Sequence, residues 1–143
     1  ALNLKDENVL LMGVGPNVYT MLNIIDKLDK LNLGYVVINP RSIKPLDEQL
    51  ILKYSHQSNL IVTLEENVIE GGFGSSVLEL LSQNKLLREV HRIGLPSPII
   101  GHGARQTLLN KYGLTEEEIL KSILNKFSYL KHNKKVNVVE VRV

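Results

Sequence analysis

Three short apolar runs, Val9-Leu10-Leu11-Met12, Tyr35-Val36-Val37-Ile38 and Leu60-Ile61-Val62-Thr63-Leu64, constrain this chain more than any other feature. Each has the length of a strand and too little polarity to leave either face in water, so each suits the middle of a parallel sheet covered on both sides. The residues between them keep helical spacing. After Gly13-Val14-Gly15, Pro16 and Asn17 suit a helix start. Val18, Met21, Leu22, Ile25 and Leu28 then recur every three or four positions until Gly34, read as the break. Pro45-Leu46-Asp47 opens a second, short helix with Leu50, Ile51 and Tyr54 inward, and Gly71-Gly72-Phe73-Gly74-Ser75-Ser76 leads into a third carrying Val77, Leu80 and Leu81.

Glu89-Val90-His91-Arg92-Ile93 is a more polar strand, expected near an edge. Thr115 with Glu118 forms a capping box ahead of an apolar stripe of Ile119, Leu120, Ile123, Leu124 and Phe127, with Lys126 and Lys131 complementing the dipole near the helix end. Val136, Val138, Val139, Val141 and Val143 then predict a last strand, whose alternation slips by one between Val138 and Val139, as at a bulge or frayed end. Strands alternating with helices predict an α/β fold of three layers: a mostly parallel sheet of about five strands with helices on both faces, the last strand free to run antiparallel. In such sheets function collects at the loops beyond the carboxyl ends of the strands, here residues 13–17, 39–45, 65–75 and 94–103.

The 143 residues carry 17 Lys+Arg against 15 Asp+Glu, a formal charge of +2. So small and unclustered a charge offers no footprint for a nucleic-acid backbone. The absence of cysteine removes thiolate catalysis, disulfides and cysteine–zinc sites. Histidines 56, 91, 102 and 132 lack helical ligand spacing, so a metal site is not expected. No apolar run approaches the ~18 residues of a membrane span, and the first residues lack a signal-type stretch. Neither membrane nor nucleic acid is an expected partner, and any targeting segment is expected outside this chain.

Gly13-Val14-Gly15-Pro16-Asn17-Val18 begins like a dinucleotide-binding turn, but Val18 stands at the third glycine and no acidic residue ends the second strand, which favours a tight strand-to-helix turn. The glycines at 71, 72 and 74 suit either an anion-binding nest or close backbone packing; with no basic residue adjacent, packing is favoured. Glu65 and Glu66, neighbours on a strand, point to opposite faces, so at most one could act as acid or base, and an interface or capping role is favoured. Arg41 and Lys44 lie in a loop between Pro40 and Pro45, placed to meet an anion or a partner's carboxylate, or to be solvated. His102, between Gly101 and Gly103, is read as a structural hydrogen-bonding group.

The stretches Asn39-Pro40-Arg41-Ser42-Ile43-Lys44-Pro45-Leu46-Asp47, Thr63-Leu64-Glu65-Glu66-Asn67-Val68-Ile69-Glu70-Gly71-Gly72-Phe73-Gly74-Ser75 and Arg92-Ile93-Gly94-Leu95-Pro96 resemble the C-terminal, third domain of the 1-deoxy-D-xylulose-5-phosphate synthase family of transketolase-like thiamine diphosphate enzymes. The resemblance runs from about Val9 to Phe127; it departs from the family at Asn39, where an acidic residue is usual, and at Ser42, where an aromatic one is. It implies a transketolase C-terminal-like domain over residues 1–127, with 128–143 an extension expected to lie as a strand on the same domain. It implies that the full-length enzyme condenses pyruvate with glyceraldehyde 3-phosphate, releasing carbon dioxide, to make 1-deoxy-D-xylulose 5-phosphate for isoprenoid, thiamine and pyridoxal synthesis. Thiamine diphosphate and Mg2+ are the implied cofactors, held by the first two domains; this domain has no Gly-Asp-Gly followed by a distant Asn, and no catalytic residue is carried over. Arg41, Lys44, Glu65, Glu66, Gly71, Gly72 and Gly74, with His102 as a lesser addition, are the implied contact surface toward those two domains and a second copy of the chain. The domain alone is expected to be inactive. The alternative is a stand-alone phosphate- or nucleotide-binding regulatory module using Gly71 to Ser76 and Arg41. The compartment follows the source, cytoplasm for a bacterium and a plastid-type organelle for a eukaryote; abundant Asn, Lys and Ile favour the second.

Overall fold

The structure, a computed structural model, describes residues 1–96 and 104–140. In chain order the elements are β1 (Leu2–Asn3), β2 (Asn8–Gly13), α1 (Asn17–Lys30), β3 (Gly34–Ile38), α2 (Glu48–His56), β4 (Leu60–Val68), α3 (Phe73–Gln83), β5 (Glu89–Leu95), α4 (Arg105–Lys111) and α5 (Glu116–Glu140). They form a five-stranded sheet of order β1-β3-β2-β4-β5. β1 runs antiparallel to β3 and every other pairing is parallel. The three apolar runs supply β2, β3 and β4, and the more polar β5 lies at an edge, as its composition predicts.

Because strand side chains alternate, each run feeds two cores. Val9, Leu11, Val37, Val62 and Leu64 meet Met21, Ile24 and Leu28 of α1 and Ile119, Ile123 and Phe127 of α5. Leu10, Met12, Val36, Ile38 and Ile61 meet Ile51 of α2 and Phe73, Val77, Leu80 and Leu81 of α3. Burying one such side chain contributes about 1.5–3 kcal/mol, against about 0–1 kcal/mol for a solvent-exposed ion pair. The layers are therefore held by these two clusters and not by pairs such as Lys5–Asp29.

Of the strand expected over 136–143, residues 136–140 are helical instead, as α5 continues to Glu140; residues 141–143 lie outside the described set. An established helix admits valine at a cost of at most ~0.7 kcal/mol per residue, whereas a strand needs an edge to pair with and one face to bury. The slip between Val138 and Val139 removes that single face. Lys126 and Lys131 are consequently mid-helix, paired with Glu89 and Glu7 instead of closing the helix end. The antiparallel strand is β1, too short to show alternation. α1 ends at Lys30 and the chain turns at Asn32, in the left-handed region with φ 58°, ahead of Gly34; Gly34 instead opens β3, where a Cβ would fall 2.0 Å from Asn8 Oδ1.

Candidate functional site

From β2 the chain passes to β3 on one side and then to β4 on the other, so the crevice at the carboxyl ends of β2 and β4 is the topological switch point where such sheets bind ligands. Here it is bridged: the Val14 N–H donates to the Leu64 carbonyl at 3.0 Å. Gly13 permits the approach, since a Cβ there would lie 2.6 Å from the backbone of Asn17 and Val18. The first amides of α1 are taken up locally, with Asn17, Val18 and Tyr19 donating to Val14, Gly15 and Pro16 at 3.3, 3.3 and 3.1 Å. Pro16 has no N–H to offer. This is the tight turn expected over Gly13 to Val18.

β4 and β5 pair regularly as far as Leu64 and Ile93, lose register, and meet again at Val68 and Leu95. Glu65 lies in that irregularity, 2% exposed. Its carboxylate accepts hydrogen bonds from the Phe73 and Gly74 amides at 3.1 and 2.9 Å. These are the first amides of α3, whose N-cap residue, Gly72, has no side chain to satisfy them. A strand thus supplies the cap of the following helix, and the positive end of the helix dipole favours its charge. The surroundings are shaped to this carboxylate. A Cβ on Gly72 would lie 2.0 Å from Glu65 Oε1, and one on Gly74 would lie 2.6 Å from Thr63 Oγ1 and 2.8 Å from Arg92 Cγ. The glycine-rich turn does enclose an anion, and that anion belongs to the chain itself.

Arg92 is the residue that sequence reasoning missed here: its Nη1 donates to Ser75 Oγ at 3.0 Å. A cation does stand beside the glycines, carried by β5 and 17 residues along the chain from Ser75. Arg88 was likewise without a sequence signal. Its Nε and Nη2 donate to the Ser55 and His56 carbonyls, both at 3.2 Å, closing the C-terminus of α2. That end of the sheet holds an open cavity of about 770 Å³ bordered by His56, Leu78 and Leu87.

The other expected residues divide by exposure. Arg41 and Lys44 project from the loop after β3, which Ile43 and Leu46 anchor to the core. Asp47 closes α2, its Oδ1 accepting from the Leu50 amide at 3.1 Å. Glu66 is half-exposed, on the opposite face from Glu65, and Gly71 is exposed with φ +70°. Glu65 and Gly74 are turned inward, because the start of α3 needs the carboxylate. His102 lies outside the described residues. Among the described residues no cluster of three His, Cys, Asp or Glu is placed to hold a metal ion, and no helix is long and apolar enough to cross a membrane. A diphosphate with its divalent cation needs clustered oxygen ligands and open amides; the described residues at this edge do not fit it.

On the edge strand, His91 Nε2 hydrogen-bonds with Ser122 Oγ of α5 at 2.5 Å. Burial, and then Lys126, hold this imidazole below the ordinary histidine value of 6.5, with Glu89 pulling the other way. The folded chain therefore binds this proton more weakly than the unfolded chain. Its stability is full above pH 6.5 and falls as pH drops toward and through the folded value. The urea midpoint should fall between about pH 7.5 and about pH 5, and less so in His91→Gln. Equal falls in both proteins would remove His91 from the account.

The sequence profile of the family described as "Transketolase, C-terminal domain" matches residues 2–119. The chain belongs to that family. Among curated relatives, the 1-deoxy-D-xylulose-5-phosphate synthase of Pelotomaculum thermopropionicum is 41% identical over 132 residues, 92% of this chain and 21% of that protein. The enzyme of the same name from Caldanaerobacter subterraneus subsp. tengcongensis is 38% identical over 90% of this chain and 21% of its own. That of Syntrophotalea carbinolica is 46% identical over 65% of this chain and 15% of its own. The chain thus spans about a fifth of the length of the curated relatives it matches. A solved structure described as "Split gene transketolase, inactive beta4 tetramer" has the same fold, with a TM-score of 0.77 at 26% identity over 87% of this chain and 41% of that one. The family match ends within the first turn of α5, so most of that helix lies beyond it.

Proposed function

We propose that this chain is the C-terminal domain of a 1-deoxy-D-xylulose-5-phosphate synthase, which joins pyruvate and glyceraldehyde 3-phosphate with loss of carbon dioxide. The observation that carries this reading is 38–46% identity to enzymes of that name. On this reading thiamine diphosphate and Mg2+ sit on the two preceding domains, and this domain contributes packing and dimer assembly. The filled amides at the starts of α1, α2 and α3 support a docking role over the phosphate-binding alternative. The solved relative, described as inactive, supports a part of such an enzyme assembling without turnover. Arg41, Lys44, Glu66 and Gly71 offer contact directly, while Glu65, Gly72 and Gly74 act by holding α3 and its loop in shape. The compartment is the cytoplasm for a bacterial source and a plastid-type organelle for a eukaryotic one, the second supported by composition.

Incubated with thiamine diphosphate, Mg2+, pyruvate and glyceraldehyde 3-phosphate, the purified chain should form no product above blank. Joined to the upstream part of its parent polypeptide it should. Turnover by the chain alone, or none by the joined protein, would overturn the proposal.

A further inference from the structure

We infer that the domain preceding this one in the parent enzyme docks on the open edge of β1, over Leu2 and Leu4, and on the adjoining loop that carries Arg41. The inference rests on the functional reading above, and three observations carry it. First, the family is a C-terminal domain and the chain covers 21% of its relatives, so about four-fifths of such an enzyme lies upstream. Second, β1 runs antiparallel to β3, and Ala1 pairs with Val37 in both directions, its carbonyl accepting from the Val37 amide at 2.8 Å. The upstream polypeptide therefore meets the sheet at the carboxyl end of β3, immediately beside Asn39-Pro40-Arg41. Third, β1 is an edge strand whose outer side has no strand partner among the described residues, yet Leu2 on it and Leu4 just after it are 55% and 44% exposed.

An unpaired edge bearing apolar side chains is a surface that proteins ordinarily cover. The edge is also held in place without its partner, since Asn3 Nδ2 donates to Asp29 Oδ1 of α1 at 2.9 Å. Tethering decides between this surface and its rival. Leu87, 90% exposed, precedes β5 at the other edge of the sheet and borders the cavity, whereas a domain whose polypeptide enters through β1 has its highest local concentration at the β1 edge.

Hydroxyl-radical footprinting of the full-length parent, read by mass spectrometry, tests the surface. Leu2 and Leu4 should oxidise about tenfold more slowly than Leu87 in the parent, as a desolvated interface requires, and within about threefold of it in the 143-residue chain. Leu2 and Leu4 as reactive in the parent as in the chain would overturn the inference, and so would protection of Leu87 in their place. A synthase assay on the same sample separates the two claims. An active parent with Leu2 unprotected defeats the surface alone, and an inactive parent defeats the functional reading while the footprint still judges the surface.

Discussion

Gly13→Ala should lower the stability of the domain by about 3 kcal/mol or more, or prevent folding. The added methyl would fall 2.6 Å from Asn17 C, Asn17 O and Val18 N. All three are backbone atoms of the first turn of α1, so no side chain can rotate out of the way. Accommodation requires α1 to move off β2, which strains the Val14–Leu64 bridge and the buried contacts of Val18 and Met21. Overpacking costs about 1–3 kcal/mol when side chains can adjust, and a rigid backbone puts this site at or above the top of that range. Such a loss is a large fraction of the roughly 5–15 kcal/mol that holds a typical domain together. Gly71→Ala is the matched control: its φ is +70° but nothing lies within 4 Å of the new methyl, so only backbone strain of about 1–2 kcal/mol is expected. Urea denaturation compares the two, and equal midpoints would show that the strand-to-helix junction is not tight.

Removing the internal cap should be nearly as costly. Glu65→Ala leaves the Phe73 and Gly74 amides buried without an acceptor, and each such donor costs about 1–3 kcal/mol; a loss of about 3 kcal/mol is expected. Glu65→Gln should fall between Ala and the native residue, because the amide keeps one acceptor oxygen and turns an N–H donor toward the other site. Glu66→Ala, on the half-exposed face, should cost under about 1 kcal/mol. Hydrogen exchange at Phe73 and Gly74 should quicken in Glu65→Ala before exchange in β2 does. A Glu65→Ala chain with native stability and native protection at those amides would refute the cap. Gly72→Ala adds a second test. Its methyl collides with Glu65 Oε1, so its cost should shrink in the Glu65→Ala background, a coupling that a double-mutant cycle measures directly.

These two sites show where the sequence was readable and where it was not. The strands β2, β3 and β4 were legible because their apolar runs leave no face for water, and α1, α2, α3 and the first half of α5 because their stripes repeat at three and four. The Gly13 turn was legible through what it lacks, a third glycine. The role of Glu65 was only partly so: alternation separates it from Glu66, yet nothing in the adjacent pair says which one faces α3, since that depends on the lost register between β4 and β5. Arg92 reaches Ser75 only across the folded β4–β5 pair, beyond any local pattern. β1 has two residues and no periodicity to detect. The valines after 135 misled because β-branched residues fit a strand well and a helix nearly as well once that helix is already running.

The carboxylate at the start of α3 has one more consequence, which concerns competition. An occupant joined by its own backbone cannot be diluted away, and a short tether holds it at an effective concentration on the order of millimolar or higher. A free phosphate or nucleotide would have to displace a charge already desolvated and doubly hydrogen-bonded. The turn that leads into α3 therefore keeps one shape whatever the concentration of free anions around it.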